Sequence, residues 1–441
     1  MKTTKRVIAV LLALVLISSS FVCFAADSEK QYHKYDKVML LGDSEASGFT
    51  DYGDEMSEFT YVPDSYAAYV ATELGAELIP MACPGFRTIE LRYMLDDNYR
   101  PDDKYLFSEV PRTPTEEIIA KSPAMRQAIK DSDMIMIGIG GNDWGAYLGW
   151  VMEDVQLENN LPEEFKTALR DYLKNATFKD DLIGSIIQLA DYCNALDELA
   201  AALPEAMKYA FSNLRENWDY IIQYIYENNP DVTLVVVGMF PTYLKTEEGA
   251  PDIVAEPDPL AVVVEDGIIA YGNKHMIENR EKYGYIYVDT AGTVVEICHP
   301  TVAGHRHIAD RILEALPDAR FVCSEDVSKG APYYKAVEYM VVNSIMSGTS
   351  ETTFSPDEVL TKDVFSNALN KITGDYEITD STDKVSKTNM AVTLFRTAEK
   401  KDIITFIKAL RFAVNIIVSS GSKITRAQAA EILYSYIQNF C

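Results

Sequence analysis

The chain has 441 residues, 48% apolar and 24% charged, which excludes a wholly disordered or collagen-like polymer and is too long for one small domain. Sixty-seven acidic side chains against forty basic ones give a net charge of −27. A field of that sign repels phosphate backbones and anionic lipid, so the sequence argues against nucleic acid as a partner.

Residues 1–25 read as a cleaved export signal. Lys2, Lys5 and Arg6 precede an apolar run from Val7 to Ile17, and Ala25-Ala26 supplies small residues for cleavage. That run is shorter than the roughly 20 residues a spanning helix needs, and no later stretch is long and apolar enough to be a transmembrane helix. The mature chain is expected outside the cytoplasm. Its cysteines are Cys83, Cys193, Cys298, Cys323 and Cys441, odd in number and widely spaced. This is no disulfide scaffold, although one or two bridges stay open.

The pattern then alternates strand and helix for some 320 residues. Val38–Leu41 is a short apolar run closed by Gly42; Tyr66 to Leu74 is helical in pattern, and Glu77 to Pro80 is a second strand. Met134–Gly138 and Thr233–Val237 are stronger strands, Tyr285–Val288 is the last, and Thr301 to Leu316 reads as a helix. Fully apolar strands separated by helices predict an α/β fold with a parallel sheet covered on both faces. Between the third and fourth strands lies a helical insertion, about 162–229. Its apolar positions Leu182, Ile186, Leu189, Cys193 and Leu196 step along one face.

Open sheets of this kind place ligands beyond the carboxyl ends of their strands. The first strand leads into Gly42-Asp43-Ser44-Glu45, the second into Cys83-Pro84-Gly85-Phe86-Arg87, and the third into Gly140-Gly141-Asn142-Asp143. Near the end comes Glu296-Ile297-Cys298-His299-Pro300-Thr301. Acyl transfer needs a serine, a base to take its proton and fixed donors for the oxyanion. Ser44 is the candidate nucleophile and His299 the candidate base. The N–H groups of Ser44 and Gly85, with the Asn142 amide, are the candidate oxyanion hole. Glu296, three residues before His299, is the candidate carboxylate that orients the imidazole.

These residues resemble the SGNH, or GDSL, serine hydrolases. The family's serine block is matched by Gly42-Asp43-Ser44, its loop glycine by Gly85, and its G-x-N-D block by Gly140 to Asp143. Its final D-x-x-H-P block is met by Glu296-x-x-His299-Pro300. The resemblance covers about 35–318. It implies a flavodoxin-like three-layer α/β/α sandwich and ester hydrolysis through an acyl-serine intermediate, with no metal or cofactor. One departure matters: Glu296 stands where the family has Asp, and its extra methylene must be accommodated. Asp289, at the end of the last strand, or a Ser–His dyad aided by a backbone carbonyl, are the alternatives.

Cys298, His299, His305 and His307 invite a metal reading, but their spacing fits no familiar zinc pattern. His305 and His307, near a helix start, suit capping or surface roles better. Cys298 beside its own histidine is expected to diverge from it. Trp144 and Trp150 either line the acyl pocket or simply pack.

The last third repeats itself. Ala336 to Gly348 and Ala409 to Gly421 are both 12 steps apart. Thr361-Lys362, Ser386-Lys387 and Thr425-Arg426 are each followed by a leucine (Leu369, Leu394, Leu433) eight positions after the hydroxyl residue. A hydroxyl residue opening an amphipathic helix is capping chemistry, and fixed spacing marks repeated helical units. The pattern resembles S-layer homology (SLH) repeats, placed at about 325–372, 373–399 and 400–441. That resemblance implies a mainly α-helical domain that holds an exported bacterial protein to cell-wall polysaccharide. Lys362 and Lys387 replace the family's arginine, and a lysine meets an anionic sugar as a point charge without arginine's planar fork.

The expectation is a secreted, wall-associated serine esterase that deacylates a carbohydrate or small ester. A lipase or thioesterase for longer acyl chains is an alternative within the enzymes. A wall-polysaccharide-binding structural protein with an inactive hydrolase fold is the alternative outside them.

Overall fold

The computed structural model describes residues 30–50, 57–101, 106–107, 115–143, 161–173, 188–247, 250–257, 259–374, 376–398, 403–418 and 423–440. The export signal, Trp144, Trp150, Gly421 and Cys441 lie outside them. The described chain forms two compact units, residues 34–316 and residues 317–440 with 30–33.

The first unit is built on five parallel strands: β1 (Lys37–Gly42), β2 (Glu77–Ala82), β3 (Met134–Gly138), β4 (Thr233–Val237) and a short terminal strand, Ile286–Val288. Their order across the sheet is β2, β1, β3, β4 and then Ile286–Val288. β1 and β3 are apolar without alternation because both sides of each strand are covered. Met39, Leu41, Ile135, Ile137, Leu234 and Val236 all pack into one core. Helices α1 (Ser44–Ser47), α2 (Tyr66–Leu74), α3 (Thr88–Leu95), α4 (Thr115–Ile119) and α5 (Ser122–Asp131) follow the first two strands. β2 runs two residues past Pro80. A proline without an N–H ends a strand in the sequence pattern, but β2 is an edge strand and tolerates it.

The insertion contains α6 (Glu163–Leu173) and the 33-residue α7 (Leu196–Asn228). Its expected continuous stripe is interrupted. Asn194 adopts φ 52°, a left-handed turn that asparagine tolerates, and Leu196 beyond it is 41% exposed. Leu189 and Cys193 instead join a small cluster with Leu161, Phe165 and Leu169. The second half of α7 is no appendage: Trp218, Ile221, Ile222 and Ile225 are fully buried in the main core. The sequence pattern assigns no element to 246–283, where an antiparallel pair, β5 (Thr246–Glu247) and β6 (Ala250–Val254), precedes α8 (Pro259–Tyr283). β7 is the terminal strand Ile286–Val288, and α9 (Val302–Ala315) follows it, capped by Thr301 Oγ1, which accepts from Gly304 N–H at 3.0 Å.

The second unit is helical: α10 (Tyr334–Val342), α11 (Lys362–Thr373), α12 (Lys387–Thr397), α13 (Ile403–Val418) and α14 (Arg426–Phe440) share one core. Thr361, Ser386 and Thr425 each precede a helix. Ser386 and Thr425 accept from Asn389 N–H and Gln428 N–H, whereas Thr361 makes no side-chain cap bond. Leu369, Leu394 and Leu433 are all fully buried, which is what their common spacing requires. Short bridges pair Val359 with Thr425, Thr361 with Lys384 and Ser386 with Lys423, so the three pre-helix segments close on one another.

Candidate active site

β1 is the switch point of the sheet, since β2 lies on one side of it and β3 on the other. Gly42 and Gly138 are register partners at their carboxyl ends. Ser44 and Asn142, which follow these glycines, are thereby brought to one crevice. Gly42 has φ 144°, and a Cβ there would meet the Gly138 carbonyl oxygen at 2.0 Å, so only glycine lets the strands approach this closely. Asp43 then caps α1, its carboxylate accepting from Glu45 N–H at 3.0 Å, and Ser44 opens the helix. Burial pushes the Asp43 carboxyl up to about 6, against the pull of that N–H and of His299.

The loop after β7 approaches from the other side. Val295 and Pro300 pair antiparallel, and Glu296 N–H donates to the His299 carbonyl at 3.1 Å, closing a tight hairpin over 296–299. The hairpin is tied down by Val295 N–H on Leu244 O at 2.8 Å and Thr246 N–H on Val295 O at 3.0 Å. His299 is 4% exposed, and its Nε2 lies 2.8 Å from Ser44 Oγ across 255 residues of sequence. Its Nδ1 lies 3.4 Å from Cys298 Sγ. The expected divergence of these neighbours is therefore wrong, because the hairpin turn abolishes the alternation of an extended strand. Glu296, whose N–H meets the His299 carbonyl, is half-buried. Asp289 is exposed and caps its own turn, accepting from Ala291 N–H at 3.0 Å.

Gly85 adopts φ 79°, a left-handed turn that carries the chain from β2 into α3. Asn142 Nδ2 donates to Phe86 O at 3.2 Å and to Asp43 Oδ2 at 3.4 Å, linking the loops after β1, β2 and β3. Among the described residues no acceptor takes the N–H of Ser44 or of Gly85. Two donors without partners beside an amide are what an oxyanion requires.

Several supporting residues carry no isolated sequence signal. Asp143 is buried and accepts from Thr88 N–H at 2.9 Å and Thr88 Oγ1 at 2.5 Å, locking the G-x-N-D loop to α3. Burial raises its carboxyl to about 7. Arg87 and Glu90 form a fully buried ion pair at 2.6 Å at the start of α3. A serine or histidine at a strand end can be found by pattern, but these pairs depend on which loops meet.

His305 departs from its expected surface role. It is fully buried, neither ring nitrogen has a hydrogen-bond partner among the described residues, and burial holds its pKa down at about 3. Its ring lies 6.0 Å from that of Tyr66, whose buried hydroxyl is also unpartnered. His307 bonds Ala291 O at 3.0 Å. Among the described residues no group of three His, Cys, Asp or Glu side chains is placed to hold a metal. Cys83, Cys193, Cys298 and Cys323 form no disulfide, and burial pushes the Cys83 thiol far up.

In the helical unit the three corresponding basic residues differ. Lys362 pairs with Asp383 at 3.0 Å, Lys387 is buried, and Arg426 is buried with its guanidinium on Phe354 O at 2.7 Å and Ser347 O at 2.5 Å. No helix among the described residues is long and apolar enough to cross a membrane.

A family model described as GDSL-like lipase/acylhydrolase matches residues 38–312, and one described as S-layer homology domain matches residues 325–363. No curated sequence matches the chain. Similar solved structures include a phospholipase A1 from Streptomyces albidoflavus NA297, 16% identical over 64% of this chain and 99% of that one, with TM-score 0.36. An extracellular lipase from Streptomyces rimosus is 15% identical over 63% and 98%, with TM-score 0.37. An acetylxylan esterase from Geobacillus stearothermophilus is 16% identical over 63% and 92%, with TM-score 0.30.

Proposed function

Because this chain belongs to the GDSL-like lipase/acylhydrolase family and is an ester-hydrolysing enzyme, we propose that it is an exported serine esterase that deacylates a carbohydrate or small ester at a bacterial cell surface. The observation that carries this reading is the 2.8 Å approach of His299 Nε2 to Ser44 Oγ in a crevice between β1 and β3. Ser44 Oγ attacks the ester carbonyl carbon while Nε2 takes the hydroxyl proton. The tetrahedral oxyanion is held by the N–H groups of Ser44 and Gly85 and by Asn142 Nδ2. Imidazolium then protonates the leaving alkoxide, and water repeats the sequence on the acyl-serine. Glu296 orients His299 from the base of its hairpin. Its half-buried position beside His299 supports it over the exposed Asp289.

A carbohydrate substrate is supported by the S-layer homology match, since an enzyme held at the wall would work beside wall polysaccharide. In this reading the helical repeats bind the wall and the first 25 residues are removed on export.

Fluorophosphonate labelling of the mature protein tests the chemistry without knowledge of the substrate. Wild type is expected to label, and Ser44→Ala and His299→Ala to lose labelling together with hydrolysis of 4-nitrophenyl acetate. A folded wild type that neither labels nor turns over would leave a wall-binding protein with an inactive hydrolase fold. A Ser44→Ala variant with full activity would remove Ser44 from the mechanism.

A further inference from the structure

The imidazole of His299 has a neighbour at each nitrogen. Nε2 faces Ser44 Oγ at 2.8 Å and Nδ1 faces Cys298 Sγ at 3.4 Å. Sulfur is a weak acceptor with a large, polarisable lone pair, and 3.4 Å is an ordinary distance for an N–H donor to reach it. The hairpin fixes this contact. Glu296 N–H on His299 O and Thr301 N–H on Val294 O close it, and Leu244 and Thr246 hold its Val295 corner. Cys298 is in no disulfide and is only partly buried.

From this geometry we infer that Cys298 is a positioning residue for the esterase reaction, its sulfur accepting the Nδ1–H of His299. The inference rests on the reading of Ser44 as nucleophile and His299 as base. A neutral imidazole has one N–H, and a base that takes a proton at Nε2 must carry its hydrogen at Nδ1. The sulfur contact selects that tautomer and fixes the plane of the ring. When Nε2 takes the serine proton, the Nδ1–H becomes part of a cation and its contact with sulfur strengthens. Glu296, one methylene longer than the family's aspartate, closes the same hairpin through its backbone N–H on the His299 carbonyl. Cys298 thereby also gives the site a chemical handle that a carboxylate lacks.

The test compares Cys298→Ala and Cys298→Ser with wild type on 4-nitrophenyl acetate. Cys298→Ala is expected to lower kcat about fivefold with KM changed less than about twofold, the size of one lost hydrogen bond in the transition state. Cys298→Ser, whose hydroxyl also accepts, is expected to recover more than half of that loss. Unchanged melting temperatures would separate positioning from folding. A second measurement avoids mutation. Methyl methanethiosulfonate is attacked by the Cys298 thiolate; an S–S bond forms, methanesulfinate leaves and the thiol proton passes to solvent. Capping is expected to slow the wild type at least as much as Cys298→Ala, to be reversed by dithiothreitol, and to leave the rate of Cys298→Ser unaltered by the reagent.

Wild-type kcat in Cys298→Ala, or full activity in protein shown by mass spectrometry to be capped at Cys298, would overturn the inference. With Ser44→Ala inactive, either result removes Cys298 alone. An active Ser44→Ala removes the catalytic reading on which the inference rests.

Discussion

Ser44, Asn142 and His299 are legible in the sequence because each belongs to a short polar block at the end of an apolar run. Asp43 and Asp143 stand in the same blocks, but their supporting roles are not legible, since those depend on which loops meet in space. Asp43 and Asp143 are both buried, with values raised from an ordinary 3.8 to about 6 and about 7. Between about pH 4 and 7 the folded state therefore keeps protons that the unfolded chain has lost. Their stabilising contribution is full in acid and is lost as pH rises through that window. His305 works in the opposite sense: its folded value lies near 3, so its contribution is present above about 6.5 and is lost as pH falls toward 3. Asp143→Asn isolates one member of this set. Urea unfolding of wild type and variant from pH 4.5 to 7.5 is expected to show the wild-type advantage shrinking as pH rises. An advantage independent of pH would mean that the Asp143 carboxyl is not raised. Cys298 departs from its expected divergence for a different reason: the rule of alternating side chains holds along a strand and fails at a hairpin tip.

Whole elements were read where burial is two-sided. β1, β3 and β4 carry uninterrupted apolar runs, so their existence follows from pattern alone, as do the bounds of β3 and β4. α8 escaped because its opening Pro-Leu-Ala-Val-Val-Val does not announce a helix, and the left-handed Asn194 broke a stripe that looks continuous on paper. α3 shows how an element's start can matter more than its length. Glu90 accepts from Arg87 N–H at 3.0 Å and Nε at 3.1 Å, from Nη2 at 2.6 Å, and from Phe107 N–H at 3.1 Å. This pair holds the first turn of α3 immediately after the Gly85 loop. Removing one charge breaks a buried ion pair, which costs about 3–5 kcal/mol, whereas an apolar replacement of both is tolerated far better. Glu90→Gln is therefore expected to lower the urea midpoint more than the double variant Arg87→Met/Glu90→Leu. A double variant that is the less stable of the two would show that the pair itself stabilises the fold.

At the scale of the molecule, the division into a sheet-based unit and a helical repeat unit follows from the change of pattern near residue 320. The spacing of Thr361, Ser386 and Thr425 marks three helix starts but not how their segments close, which lies in contacts far apart in sequence. Leu360 N–H donates to Ile424 O at 2.9 Å and Val385 N–H to Leu360 O at 3.0 Å. Arg426, the one position that keeps the family's arginine, reaches back to the Phe354 carbonyl. A full chain ended before Lys423 is expected to lose protease resistance across 325–398 as well as at its new end. Survival of a resistant fragment over 325–372 would show that the repeats stack as an open row. A row can be shortened one repeat at a time, but a ring has no spare link. In the anchoring role proposed for this unit, trimming the fifteen residues of α14 would not weaken the hold by a third. It would undo the clasp and set the enzyme free from the wall with its catalytic unit whole.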